Sequence, residues 1–277
     1  MTLNPLARNR SCHRYAAAVK NLPAKKSHEP KPLFKYHSYA FVLAHPDHEM
    51  YTVNIIKSLL DAGKKVDLIY LTSGDYAGEE VGLLREKELA NAAEILKIRR
   101  DALHLLRFSE RKLSAVFSEA IEAVADKLKE LQPDCVITHE YEGGHNIHDL
   151  VSYCAYLGSK QVSADLWSFP AYHKQPHERL WNQFSSERKA DFTLELDETG
   201  TELKHQIFDC HKTQKEFFDR VLASSSKDVL LQREVLRFIG GDLDYTSEPT
   251  TPVGYEFTGS PVKFDDFSLL IKANRVL

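Results

Sequence analysis

The sequence predicts an α/β protein: a Rossmann-like, mostly parallel sheet with helices on both faces, folded as a single domain. Two observations carry that prediction. From about residue 38 short apolar runs alternate with stretches of helical periodicity, the pattern of strand–helix–strand units. Two histidine-rich clusters also begin within a few residues of a predicted strand's carboxyl end, where sheets of this kind bind ligands. The elements follow in order. Tyr39–Leu43 reads as a buried strand, the Val53, Ile55, Ile56, Leu59, Leu60 spacing as a helix ended by Gly63, and Val66–Leu71 as a second strand. Leu84–Ile98 is a helix with Leu84, Leu89, Ala92, Ala93 and Leu96 on one side. Ala102–Leu106 is a third strand, Ser114–Leu131 an amphipathic helix closed by Pro133, and Cys135–Thr138 a fourth strand. Asp149–Leu157 resumes as helix. Beyond it the spacing suggests strands at Trp167–Tyr172 and Phe192–Leu196, then helices at Leu203–Leu222 and Ser225–Phe238. Past Gly240 the turn residues multiply and no element is assigned.

Length and composition narrow the class. The 277 residues, 43% of them hydrophobic, can bury one sizeable core. A net charge of −4 gives no global reason to expect nucleic-acid binding. Residues 1–37 differ from the rest: eight Lys and Arg stand against Glu29 alone, prolines recur, and apolar periodicity is missing. They read as a flexible basic arm, with 38–277 as the folded domain. No apolar run approaches the length of a membrane span, and the arm lacks the apolar segment of a secretory signal. Cys12, Cys135, Cys154 and Cys210 are far apart with no C-x-x-C, as expected of reduced thiols in a cytoplasmic protein.

The chemistry lies in the two clusters. Ala44-His45-Pro46-Asp47-His48-Glu49 follows the first strand, and His145-Asn146-Ile147-His148-Asp149 follows Gly143-Gly144 after the fourth. Each holds two histidines three apart with acidic neighbours. A catalytic zinc site needs three protein ligands and an open position, beside a carboxylate that takes a proton from water and a group that faces the oxyanion. The two clusters together supply more candidates than that requires. No G-x-G-x-x-G follows the first strand, which excludes a dinucleotide-binding reading.

With these residues in place, the sequence resembles the PIG-L/LmbE-like deacetylases, zinc-dependent enzymes that act on N-acetylglucosaminyl substrates. Ala44–Glu49 matches five of six positions of that family's A-H-P-D-D-E motif. Glu142–Asp149 keeps the histidines of its E-G-G-H-P-D-H-D motif. Leu71–Gly74, Arg85 with Glu88, Phe169–His173, and Lys204 with His211 and Gln214 resemble smaller landmarks, so the likeness spans roughly residues 38 to 220. It implies His45 and His148 as zinc ligands, Asp47 as general base, His145 as a protonated partner of the oxyanion, and Arg85 as a substrate contact. Glu49 and Asp149 become supporting carboxylates. The implied partner is a small amino-sugar or glycoconjugate substrate.

One departure stands out. The family's second motif aspartate, its third zinc ligand, is His48 here, which implies a three-histidine site of Zn2+ or another divalent transition metal, one negative charge poorer. Asn146-Ile147 in place of Pro-Asp is a milder change. Arg85 also admits a plainer reading, an ion pair with Glu80 or Glu88 on its own helix. Tyr76, His173 and His211 are read as packing or capping residues. Two other functions stay open at this point: a metal-dependent amidase or carbohydrate esterase on another substrate, and a non-catalytic sugar-binding protein whose metal site His48 has degraded.

Overall fold

The computed structural model describes residues 32–175, 178–185, 188–224, 227–257 and 262–275. Residues 1–31 of the basic arm lie outside the described residues. The compact unit is Pro32–Leu277. It begins ahead of residue 38, because a 3-10 turn at Pro32–Lys35 leads Leu33 and Tyr36 into the core and the Tyr39 hydroxyl donates to the Leu33 carbonyl.

The unit is built from β1 (Ser38–Leu43), α1 (Val53–Asp61), β2 (Lys65–Thr72), α2 (Glu79–Leu96), β3 (Leu103–Phe108), α3 (Phe117–Leu131), β4 (Cys135–His139), α4 (Asn146–Gln161) and β5 (Asp165–Phe169). After these come the hairpin β6 (Tyr172–Lys174) and β7 (Arg179–Trp181), then β8 (Phe192–Glu195), α5 (Glu198–Cys210), α6 (Lys215–Leu222), α7 (Lys227–Gln232), β9 (Arg233–Ile239) and α8 (Phe264–Ala273). The main sheet among the described residues has the order β3-β2-β1-β4-β5-β9-β8. Strands β1 to β5 run parallel, and β9 and β8 close one edge antiparallel. The chain winds outward from β1 to β3, then crosses to β4 on the other side, so the crevice between β1 and β4 is the topological switch point.

Strand β1 shows why this sheet forms. Tyr39, Phe41 and Leu43 pack with Ile55, Ile56, Leu59, Leu89, Leu203 and Ile207 on one face. Ala40, Val42 and Ala44 pack with Ile121, Val124, Leu150, Val151, Phe267 and Ile271 on the other. A strand covered on both faces reads as an unbroken apolar run, and that run is what made it visible. Each fully buried Phe, Leu or Ile contributes about 1.5–3 kcal/mol of transfer free energy.

Four elements differ from expectation. The predicted helix Ser225–Phe238 is the six-residue α7 followed by β9, because Arg233–Ile239 pairs with both β5 and β8. The predicted strand Trp167–Tyr172 splits around Pro170, which has no N–H to give a ladder. The predicted helix Leu203–Leu222 breaks at His211, whose side chain turns inward to Glu49. On α2, Leu84 is half exposed, while Arg85 and Glu88 lie in the buried stripe with Leu89, Ala92 and Leu96. The unassigned region past Gly240 holds a 3-10 turn at Gly254–Phe257 and the helix α8.

A buried ion pair ties the last strand to the first loop. Lys204 and Glu234 are both fully buried, 3.2 Å apart. Lys204 Nζ also donates to the Met50 carbonyl, and Glu234 accepts from the backbone N–H groups of Asn54 and Ile55 at the start of α1. Lys204→Ala strands the Glu234 carboxylate away from water and is expected to lower the unfolding free energy by about 3–5 kcal/mol. Urea denaturation checks this, the expected result being a lower midpoint at unchanged slope.

Candidate metal centre and active site

The crevice between β1 and β4 receives both histidine clusters. After β1 the chain turns sharply. Asp47 adopts φ 101°, a conformation costing roughly 1–3 kcal/mol for a residue with a Cβ. Glu49 holds that turn: its Oε2 accepts from the Asp47 N–H (3.1 Å) and the Tyr70 hydroxyl (2.9 Å), and its Oε1 meets His211 Nε2 at 2.6 Å. Burial opposes a charge on His211, but the Glu49 carboxylate outweighs it and raises the imidazole's pKa. Glu49 is thus a buried carboxylate that ties this turn to Tyr70 and His211.

The second cluster is shaped in the same way. Asp149 Oδ1 accepts from the N–H groups of Glu142 and Gly143 (3.3 and 3.2 Å), folding the loop back over the start of α4. Burial pushes the Asp149 carboxyl well above its ordinary pKa. Gly144 is required by packing, since a Cβ there would stand 1.7 Å from the Tyr172 carbonyl oxygen. His145 caps α4: its Nδ1 accepts the Ile147 N–H at 3.2 Å.

These turns bring His45, His48 and His148 together, with one candidate donor atom from each inside a 4.8 Å span. Ring centroids lie 3.8 Å apart for His45 and His48, 4.5 Å for His48 and His148, and 6.0 Å for His45 and His148. Burial, with neighbouring imidazoles adding to it, lowers the pKa of His48 and His148 well below the ordinary value. Their rings stay neutral and keep lone pairs to offer. His148 Nδ1 is buried with no hydrogen-bond partner among the described residues. A cluster of neutral imidazoles with an unmatched nitrogen fits a borderline-soft divalent metal such as zinc.

Asp47 and Arg85 sit beside this cluster. Asp47 Oδ1 is 3.0 Å from His45 Nδ1 and accepts from Arg85 Nη2 at 2.7 Å. The same guanidinium donates to the carbonyls of Pro46 (2.6 Å) and Gly74 (3.2 Å). Burial alone would raise the Asp47 pKa, but Arg85 and then His45 overcome it and hold the carboxyl below its usual range. Arg85 is only 5% exposed, and its guanidinium braces the loop that carries Asp47. It does not pair with Glu80 or Glu88; Glu88 instead accepts from the backbone N–H and hydroxyl of Thr213. Gly74, at φ 68°, makes room for the guanidinium, which an added Cβ would approach to 2.6 Å.

His145 also departs from expectation in its charge. Burial, then His45 and Arg179, lowers its pKa to about 3, and an Nδ1 that accepts a backbone N–H carries no proton. The ring is neutral, with Nε2–H left as its donor, and is not an imidazolium. Among the residues set aside, Tyr76 is exposed, His211 supports Glu49, and His173 lies 3.5 Å from Glu142.

Three neighbours were not foreseen. Glu110, just past β3, lies 3.7 Å from His45 Nε2. His139, the last residue of β4, contacts His48. Arg179 on the β6–β7 hairpin stands over the Tyr172 ring, 4.7 Å from its centroid, and Tyr172 in turn lies 5.2 Å from His148. Each follows or flanks a strand end, which was the one signal that could have found them.

Residues 40–157 match the model of the PIG-L family, described as GlcNAc-PI de-N-acetylase. Over these residues the chain is similar to the PIG-L family. The structure is similar to N,N'-diacetylchitobiose deacetylase from Pyrococcus horikoshii (TM-score 0.54, 19% identity, covering 82% of this chain and 92% of that one). It is also similar to the A40926 pseudoaglycone deacetylase Dbv21 (0.54, 16%, 75% and 99%) and to a zinc-inhibited form of teicoplanin deacetylase (0.53, 11%, 74% and 100%). At these identities the likeness is one of fold. No curated protein matches the sequence. The PIG-L match ends inside α4, so it takes in both histidine clusters, while the β6–β9 region beyond it is matched only as structure. Among the described residues no helix is long and apolar enough to cross a membrane.

The Asp47–Arg85 pair yields a prediction. Arg85→Ala leaves a buried carboxylate uncompensated and should cost about 3–5 kcal/mol of stability. The sign with pH follows from linkage. A carboxyl held below its usual range adds stability above its unfolded pKa of about 4, and that stability is lost as pH falls through the folded value. Urea unfolding of both proteins across the acid range should therefore show the largest difference near neutrality, shrinking toward low pH.

Proposed function

We propose that the protein is a metal-dependent deacetylase, with zinc the favoured metal, that hydrolyses the acetamide of an N-acetylated amino sugar of the N-acetylglucosaminyl type. The observation that carries this reading is the meeting of His45, His48 and His148 at the switch point with Asp47 beside them. The match of residues 40–157 to the PIG-L family model supports it, and the deacetylase neighbours fit it.

In this reading His45, His48 and His148 hold the metal. A bound zinc ion supplies Lewis acidity toward the acetyl carbonyl and makes water more acidic. Asp47 has one oxygen committed to Arg85 and His45, and its other oxygen, Oδ2, takes the proton from the attacking water. The water oxygen bonds to the acetyl carbon as the carbonyl electrons move onto oxygen. The neutral His145 donates through Nε2–H to that oxyanion. Collapse breaks the carbon–nitrogen bond, acetate leaves, and the amine takes up the proton held by Asp47. Tyr172 lies beside His148 with Arg179 over its ring, and in this reading the two contact the sugar.

A single purified preparation tests this. It is expected to bind close to one zinc per chain and to release acetate from N-acetylglucosaminides. Asp47→Ala should reduce kcat by about 10²–10⁴-fold with zinc content little changed. Full deacetylation by Asp47→Ala, or protein that takes up no zinc, would sink the reading.

A further inference from the structure

We propose that His139 is a positioning residue that fixes the tautomer of His48, so that His48 offers Nε2, and not Nδ1, to the metal. This rests on the metal-site reading above and adds to it a residue outside both motifs. His139 ends β4, is fully buried, and stacks on His148 with ring centroids 4.5 Å apart and planes at 28°. Its Nε2 has two neighbours: the backbone N–H of Ala44 at 3.3 Å and Nδ1 of His48 at 3.1 Å.

The backbone decides the proton's place. The Ala44 N–H can only donate, and a buried N–H without a partner is rare and costly. His139 Nε2 must therefore carry a lone pair, which puts the ring proton on Nδ1. His48 Nδ1 facing that lone pair must then be the donor, so the remaining lone pair of His48 sits on Nε2. The opposite tautomer would orphan the Ala44 N–H as well as one nitrogen of His139. The tautomer assigned here leaves only the His139 Nδ1–H unmatched among the described residues.

An aspartate at position 48 would need no such control, since both its oxygens accept. The substitution of histidine at this ligand position creates the requirement, and His139 meets it. Outer partners of metal-bound histidines typically change metal affinity by about 10–100-fold.

The test uses the full chain and reads metal affinity and ring protonation, independently of turnover. His139→Leu should weaken zinc binding by about 10–100-fold in competition with a chromophoric chelator. His139→Gln, whose Oε1 can accept from both Ala44 and His48, should restore most of that loss. In a His48→Asp background the same Leu substitution should change affinity by less than about threefold, a coupling that a purely packing role would not produce. An equal loss in both backgrounds, or no rescue by Gln, overturns the proposal. Long-range ¹H–¹⁵N spectra of the wild-type imidazoles, recorded metal-free, give a readout that needs no folded Leu variant. His48 and His139 are both expected as Nδ1–H tautomers, and an Nε2–H tautomer at His139 refutes the assignment. Wild-type protein that shows these tautomers yet binds no zinc would instead remove the metal reading and leave the hydrogen-bond relay standing.

Discussion

The candidate site depends on the burial of Glu49. Its carboxylate joins three parts of the chain that sequence keeps far apart: the turn after β1 through the Asp47 N–H, the centre of the sheet through Tyr70, and the α5–α6 junction through His211. Those bonds offset the cost of Asp47's positive φ, and Asp47 in that turn lies beside the two histidines of its own loop. Lys204 reinforces the same loop one residue further on through the Met50 carbonyl, with its charge matched by Glu234. The loop that carries His45 and His48 is thus held from beneath by buried groups, an arrangement that would organise the proposed site ahead of a metal.

Much of the first half of the fold could be read from sequence because its strands are buried on both faces and its helices are punctuated by Gly63 and Pro133. The later elements were harder for physical reasons. Arg233–Ile239 carries apolar residues at spacings that suit a helix, and only its neighbours β5 and β8 make it a strand. The break at His211 follows from a tertiary partner, Glu49, 162 residues away. The site divides in the same manner. The histidines within one turn of each other announced themselves, and three of them meet. His139 and Glu110 stand alone in sequence and gain meaning only when strand ends converge. Arg85 stands out in sequence through its resemblance to a family landmark, but nothing local reveals that its guanidinium lies under another loop.

The change from aspartate to histidine at position 48 alters the charge of the site as a whole. In the proposed metal site three neutral imidazoles would leave a divalent ion's charge uncompensated within the ligand set, and carboxylates nearby would then matter more. Asp47 is the nearest, 3.9 Å from His48 Nε2, and Glu110 faces His45 from the opposite side. Both are almost fully buried, so their charges act through little water. In the proposed site the negative charge would stand beside the three imidazoles, on Asp47 and Glu110, and not on a ligand.

That placement bears on how strong a base the site needs. Arg85 holds the Asp47 carboxyl below its usual range, which on its own makes Asp47 a poorer proton acceptor. A metal held by neutral ligands acidifies water more than one held by a carboxylate, and so asks less of the base. In the proposed reaction the base that Arg85 weakens would be offset by a ligand set without charge.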